Sequence, residues 1–133
     1  MQAPLIKIGE LKEARSLSEF GQVGYETKNH ANLLFVRVAG FITDIIGRED
    51  RGYLFLRVDD GSGSILVKFF IKDNDQLKEL ERFKQWDFVL VLGMLKHWKD
   101  EIYLQPFSVI PLNFEEEIYY RGKLLVTFYE GGS

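Results

Sequence analysis

Tyr53-Leu54-Phe55-Leu56-Arg57-Val58 is followed by Asp59-Asp60-Gly61-Ser62-Gly63 and then by Ile65-Leu66-Val67-Lys68-Phe69-Phe70. Both apolar runs alternate with period two, and the residues between them are turn chemistry. Alternation gives a strand two different faces, and glycine accepts the positive φ of a tight turn, so the stretch predicts a β-hairpin. Its register places Leu54, Leu56, Val58, Ile65, Val67 and Phe69 toward a core and Tyr53, Phe55, Arg57, Lys68 and Phe70 away from it. A slip of one residue would exchange the two sets.

Upstream, Gly47 to Gly52 reads as a charged turn, preceded by a long strand over 33–46 in which Val36, Val38, Ile42 and Ile45 face inward and Gly40 permits a bulge or kink. Downstream, Asp73 is placed to cap a helix with Gln76 as reciprocal partner, and Leu77, Leu80 and Phe83 predict about three turns ending at Trp86-Asp87. Phe88 to Lys96 is a fourth strand with a bulge at Gly93, His97 to Asp100 a turn, and Glu101 to Ile110 a fifth strand closed by Pro111. The fourth strand is apolar on both faces, with Phe88, Leu90 and Leu92 among its residues, so its outer side needs a cover, either the N-terminal segment or a partner chain.

Residues 1–32 read as an extension packed on the barrel, with one short helical turn at Glu10 to Arg15. Residues 113–130 predict a helix capped by Asn113, with Glu115, Glu116 and Glu117 at its positive end; a strand over 124–129 competes with it. Residues 131–133 read as a flexible end.

The fold class is therefore all-β with minor α: a five-stranded Greek-key barrel over 33–112, with a helix between strands three and four and a C-terminal helix. That is the OB-fold. An SH3-like barrel is the alternative, and the helix before the fourth strand argues against it.

Composition agrees with one domain and one core, since 133 residues at 46% hydrophobic content suffice for it. The run Phe88-Val89-Leu90-Val91-Leu92 is far short of the roughly 20 residues that cross a bilayer, and the N-terminus lacks the pattern of a secretory signal, so an intracellular protein is expected. The absence of cysteine removes disulfides and thiolate chemistry. Seventeen basic against twenty acidic residues, net −3, exclude nucleic-acid binding by bulk charge alone, so any such contact must be local.

Several stretches resemble one family. Gly93-Met94-Leu95-Lys96-His97-Trp98-Lys99-Asp100-Glu101-Ile102-Tyr103-Leu104-Gln105-Pro106-Phe107-Ser108-Val109-Ile110-Pro111-Leu112 is similar to the end of the OB domain in the middle subunit of replication protein A. The middle subunit of the telomeric CST complex and archaeal replication protein A subunits are similar too. Val58 to Gly63 resembles the family's turn between strands two and three, and Ile8-Gly9-Glu10-Leu11-Lys12-Glu13-Ala14 its short N-terminal motif. The resemblance covers roughly residues 6–130. It implies a non-enzymatic subunit that binds single-stranded DNA, with roles in replication, repair or telomere maintenance. It further implies assembly with sister OB-fold subunits through the final helix, in the nucleus if eukaryotic and in the cytoplasm if archaeal.

Single strands are held by aromatic faces that stack on bases and by cations that meet phosphates. Phe41, Tyr53, Phe55, Arg57, Lys68 and Phe70 are the outward candidates, and Trp98 stands in the turn between strands four and five. Phe70 and Trp98 fall where the resembling subunits carry aromatics. Arg48, Arg51, Lys96 and Lys99 flank the two loops and could meet the backbone. Against each single aromatic other than Trp98 stands the plainer account that it covers the core; Trp98, flanked by His97, Lys99 and Asp100 in a turn, reads as a contact residue. In the resembling subunits the final helix packs with sister helices, which makes Phe114, Ile118, Leu125 and Phe128 the partner face; folding back on the barrel is the alternative.

No catalytic or cofactor site is expected. His30 and His97 are isolated, which leaves no metal set, and adjacent Asp59 and Asp60 point to opposite strand faces. A protein-binding assembly module and an RNA-binding OB domain remain alternative readings of the same residues.

Overall fold

The structure, a computed structural model, describes residues 3–48 and 51–131, with the side chains of residue 48 and residues 126–131 outside that description. In chain order its elements are α1 (Ile8–Leu11), β1 (Arg15–Ser16), β2 (Tyr25–Glu26), β3 (Phe35–Arg48), β4 (Tyr53–Asp59), β5 (Ser64–Phe70), α2 (Asn74–Leu80), β6 (Phe88–Trp98), β7 (Glu101–Pro111) and α3 (Phe114–Gly131); a 3-10 turn spans Ser18–Phe20.

The alternating run forms the β4–β5 hairpin in the expected register, Val58 opposite Ile65 and Leu56 opposite Val67. All four of these side chains are fully buried. The barrel closes in the order β3-β4-β5-β7-β6, with a parallel β5–β7 pairing at Leu66–Tyr103 and Val67–Leu104 as its one non-antiparallel seam. Val36, Val38 and Ile42 of β3, Val89, Val91 and Leu95 of β6, and Leu104 of β7 complete the interior. Each such side chain contributes about 1.5–3 kcal/mol through its removal from water.

β3 serves two neighbours, β6 along Phe35–Phe41 and β4 along Phe41–Arg48. The handover is possible because Gly40 lets the backbone of Asp59 approach: a Cβ there would stand 2.5 Å from the Asp59 carbonyl oxygen. The irregularity itself falls just after, between Ile42 and Asp44. This shift corrects one expectation, since Ile45 is 41% exposed rather than inward. Gly93 does coincide with a register shift, between Leu92 and Gly93 against β7. β6 also runs on to Trp98, so only Lys99 and Asp100 form the turn; Lys99 takes a positive φ of 55°.

The helices are set by their caps. Asp73 accepts from the Gln76 amide (2.8 Å), yet α2 ends at Leu80, shorter than the predicted three turns. Phe83 reaches the core from the turn that follows. Asn113 and Glu116 cap each other reciprocally, side chain to amide at 2.8 and 3.0 Å, which settles the tail as a helix rather than a strand.

The N-terminal extension is better ordered than expected. Arg37 donates to the Pro4 carbonyl and Ile6 donates to the Arg37 carbonyl, so the extension lines the part of β3 that β4 leaves unpaired. The helical turn lies at Ile8–Leu11, earlier than predicted, with Ile6, Ile8 and Leu11 buried in the common core. Its first amides are capped from across the sequence: Ile8 donates to Asp60 Oδ2 (2.9 Å) and Gly9 to Ser62 Oγ (2.9 Å). The other Asp60 oxygen accepts from the Ser62 amide and hydroxyl within the turn. Glu10 then accepts from Thr27 Oγ1 (2.6 Å) and Asn29 Nδ2 (3.1 Å) and lies 2.8 Å from His30 Nδ1. Burial alone would raise the Glu10 pKa, but these hydrogen bonds and the charge on His30 together hold it below the ordinary value.

Replacing Asp60 by Ala leaves the Ile8 amide without its acceptor. The variant is expected to lose about 1–3 kcal/mol in urea unfolding and to exchange the Ile8 and Gly9 amides faster. Unchanged exchange at those amides would contradict the cap.

Candidate nucleic-acid interface

Outward residues of β4 and β5 meet those of β7 because the barrel closes through the β5–β7 seam. Tyr53 and Phe55 lie 4.7 Å apart by ring centroid with planes inclined at 34°, and Phe70 stands edge-on to Phe55 at 6.3 Å. The Lys68 ammonium lies 4.2 Å from the Tyr103 ring centroid and 5.2 Å from that of Phe55. A cation over two rings is held in place without being neutralised, since it keeps its charge for an anion above the face. Arg57 sits beside Asp44 at 3.5 Å, a half-exposed pair worth less than about 1 kcal/mol.

The far end of the face is carried by the β6–β7 hairpin. Lys96 is paired opposite Tyr103, and Trp98 opposite Glu101. Lys96 and Trp98 share the outer face with Tyr103, because Leu95 and Leu104 point inward. Phe70 is 54% and Trp98 66% exposed, so these two offer open ring surface, whereas Phe55 is enclosed by its neighbours. Lys99 and Arg51 are exposed at the two turns that bound the face. The Arg48 side chain lies outside the described residues.

Phe41 is not part of this group. It is edge-on to Phe88 at 5.0 Å, with the Arg121 guanidinium 5.9 Å from its ring, beneath α3 on another side of the barrel. The separation follows from β3, which pairs with β6 at Phe41 and reaches the vicinity of Phe55 only at Ile46. Conversely, Tyr103 was not picked out by sequence, although alternation between buried Ile102 and Leu104 marks it as outward.

α3 does two things at once. Leu124 is buried at 7% exposure against the barrel, and a cleft of about 920 Å³ opens beside it, lined by Phe41, Trp86, Phe88 and Arg121 among others. Phe114, Ile118 and Leu125 share a helical face with Arg121 and are 73%, 55% and 60% exposed, Leu125 at the edge of that cleft. The Phe128 side chain lies outside the described residues. The outer side of β6 is covered neither by α3 alone nor by the extension, which docks on β3; Phe35 and Phe107 meet over it at 5.4 Å. Among the described residues no group of His, Cys, Asp and Glu is arranged to hold a metal, and no helix is long and apolar enough to cross a membrane.

The fold is that of several solved chains. A chain in the crystal structure of the S. pombe Stn1-Ten1 complex superposes with a TM-score of 0.81 at 20% identity, over 98% of this chain and 93% of that one. A chain of a replication protein A heterotrimer bound to ssDNA gives 0.74 at 15% identity, over 98% of both chains. Yeast replication protein A bound to ssDNA gives 0.71 at 20% identity, over 96% of this chain and 89% of that one. No curated protein matches the sequence significantly. Residues 36–112 match the family described as the OB-fold nucleic acid binding domain, a span that runs from the first buried residue of β3 to the end of the barrel. With that match over more than half its length, the chain belongs to the OB-fold nucleic acid binding domain family.

Proposed function

We propose that this chain is a non-enzymatic OB-fold subunit of a single-stranded DNA-binding complex of the replication protein A or CST type. It contacts the strand modestly through the β4–β5–β7 face and assembles with sister OB-fold subunits through α3. The observation that carries the proposal is the combination on one face of open aromatic rings at Phe70 and Trp98 with the Lys68 ammonium held over Tyr103. Stacking is tolerant of sequence, and a localised cation supplies the phosphate contact that a net charge of −3 does not. The ssDNA present with the replication protein A neighbours supports the same assignment. Strand contact would be accessory, given the acidic balance. A second reading, an assembly module that binds protein only, is favoured by that acidic charge and by the exposed Phe114–Ile118–Leu125 stripe.

Titration of a labelled oligothymidylate at several salt concentrations separates the two. Trp98→Ala is expected to weaken binding by about 1–3 kcal/mol, as for loss of one stacked base. Lys68→Ala is expected to flatten the log–log salt dependence by about 0.7, the value of one phosphate contact on a single strand. Absence of retention even at low salt, together with tight complex formation, would favour the protein-only reading. For assembly, Ile118→Asp and Leu125→Asp are expected to abolish co-elution with sister subunits while the melting temperature of the isolated chain stays near that of the parent. A complex that survives both substitutions would remove α3 as the interface.

A further inference from the structure

Beyond the barrel the β6–β7 hairpin continues as a narrow arm. Leu95 and Leu104 are its last fully buried pair, and Leu95 is fastened by donating to the Leu34 carbonyl at 2.8 Å. His97–Ile102, Trp98–Glu101 and the Lys99-Asp100 turn lie past that point. A two-stranded ribbon has little stability by itself, so the direction of Trp98 depends on what else holds the arm.

Two contacts do so. Ile102, opposite His97, is buried in the common core at 7% exposure and anchors the β7 side of the arm. On the β6 side the Tyr25 hydroxyl lies 2.7 Å from His97 Nδ1, and the Tyr25 ring meets the imidazole edge-on at 5.9 Å and 82°. Tyr25 is itself tied down: its amide donates to the Leu33 carbonyl (2.8 Å), its carbonyl accepts from the Leu33 amide (2.7 Å), and its strand pairs it with Ser16. The ring is buried at 7% exposure. Burial first, and then the neighbouring Tyr103, push its phenol above the ordinary value, so it stays protonated. A phenol both donates and accepts, and the bond therefore persists whichever nitrogen of His97 carries the proton.

Consecutive strand residues point to opposite faces, so a fixed His97 side chain also fixes the rotation of the strand and hence where Trp98 points. We infer that Tyr25, through His97, is a positioning residue for nucleic-acid binding: it holds the β6–β7 arm so that Trp98 stands on the same face as Lys96 and Tyr103. The inference rests on the strand-binding function proposed above and deepens it, giving the N-terminal extension a part in recognition that nothing else about the barrel requires.

The test uses the full chain with Trp86→Phe, so that Trp98 is the sole tryptophan, and a fluorescein-labelled oligothymidylate. Tyr25→Phe and His97→Ala are each expected to weaken binding about 3- to 10-fold, the equilibrium weight of one hydrogen bond, and to lower the emission anisotropy of Trp98. His97→Asn, whose Oδ1 falls near the Nδ1 position, should restore both readouts. In a Trp98→Ala background Tyr25→Phe should weaken binding no further. His97 is exposed, so its variants report on positioning even where Tyr25→Phe lowers the melting temperature. Parental affinity in both Tyr25→Phe and His97→Ala, with Trp98→Ala still impaired, overturns the inference and leaves the binding face standing. Parental affinity in Trp98→Ala removes Trp98 from the face and takes the inference with it.

Discussion

One carboxylate joins the two halves of this molecule. Asp60 closes the β4–β5 turn with one oxygen and caps α1 with the other, 52 residues away in sequence. A helix of one turn cannot stand alone in water, because nucleation is unfavourable and its first amides have no partners. Held by Asp60 and Ser62, α1 can bury Ile8 and Leu11, and the extension becomes part of the common core rather than a tail. Gly9 and Gly63 allow the close approach: a Cβ on Gly9 would come within 2.7 Å of the Ser62 carbonyl oxygen. Further along, Tyr25 is held separately, by its two backbone bonds with Leu33 and its pairing with Ser16.

The barrel then keeps separate surfaces separate. Closure through the β5–β7 seam brings Lys68 to Tyr103 and builds a face of rings and cations. The double pairing of β3 carries Phe41 to another side, where Arg121 and Leu124 of α3 lie against the barrel. On α3, Leu124 is buried against the barrel while Phe114, Ile118 and Leu125 stay exposed, and Leu125 also borders the cleft that Arg121 and Leu124 line. The β4–β5–β7 face lies on a different side of the barrel from that cleft.

Most of the barrel was legible locally. Period-two alternation marked Leu56, Val58, Ile65 and Val67 as interior, and the caps of α2 and α3 were readable because their bonds span only three residues. What escaped depends on distant pairing. The bounds of α1 are set by caps from Asp60 and Ser62, and the outward turn of Ile45 by a shift after Ile42 that pairing with β4 imposes; neither is visible in local spacing. Alternation marks Phe41 and Phe55 alike as outward, and outwardness alone does not say which side of a closed barrel. Tyr103 was within reach of the same alternation rule. The bond from Tyr25 to His97 was not, since it joins residues 72 apart.

The central claim is that a single strand lies across the β4–β5–β7 face. Its most direct test is a 15N–1H titration of the isolated chain with oligothymidylate. The account predicts amide shifts concentrated over 53–57, 66–70 and 96–103, with α3 unchanged. Shifts confined to α3 and its cleft, with that face silent, would contradict it.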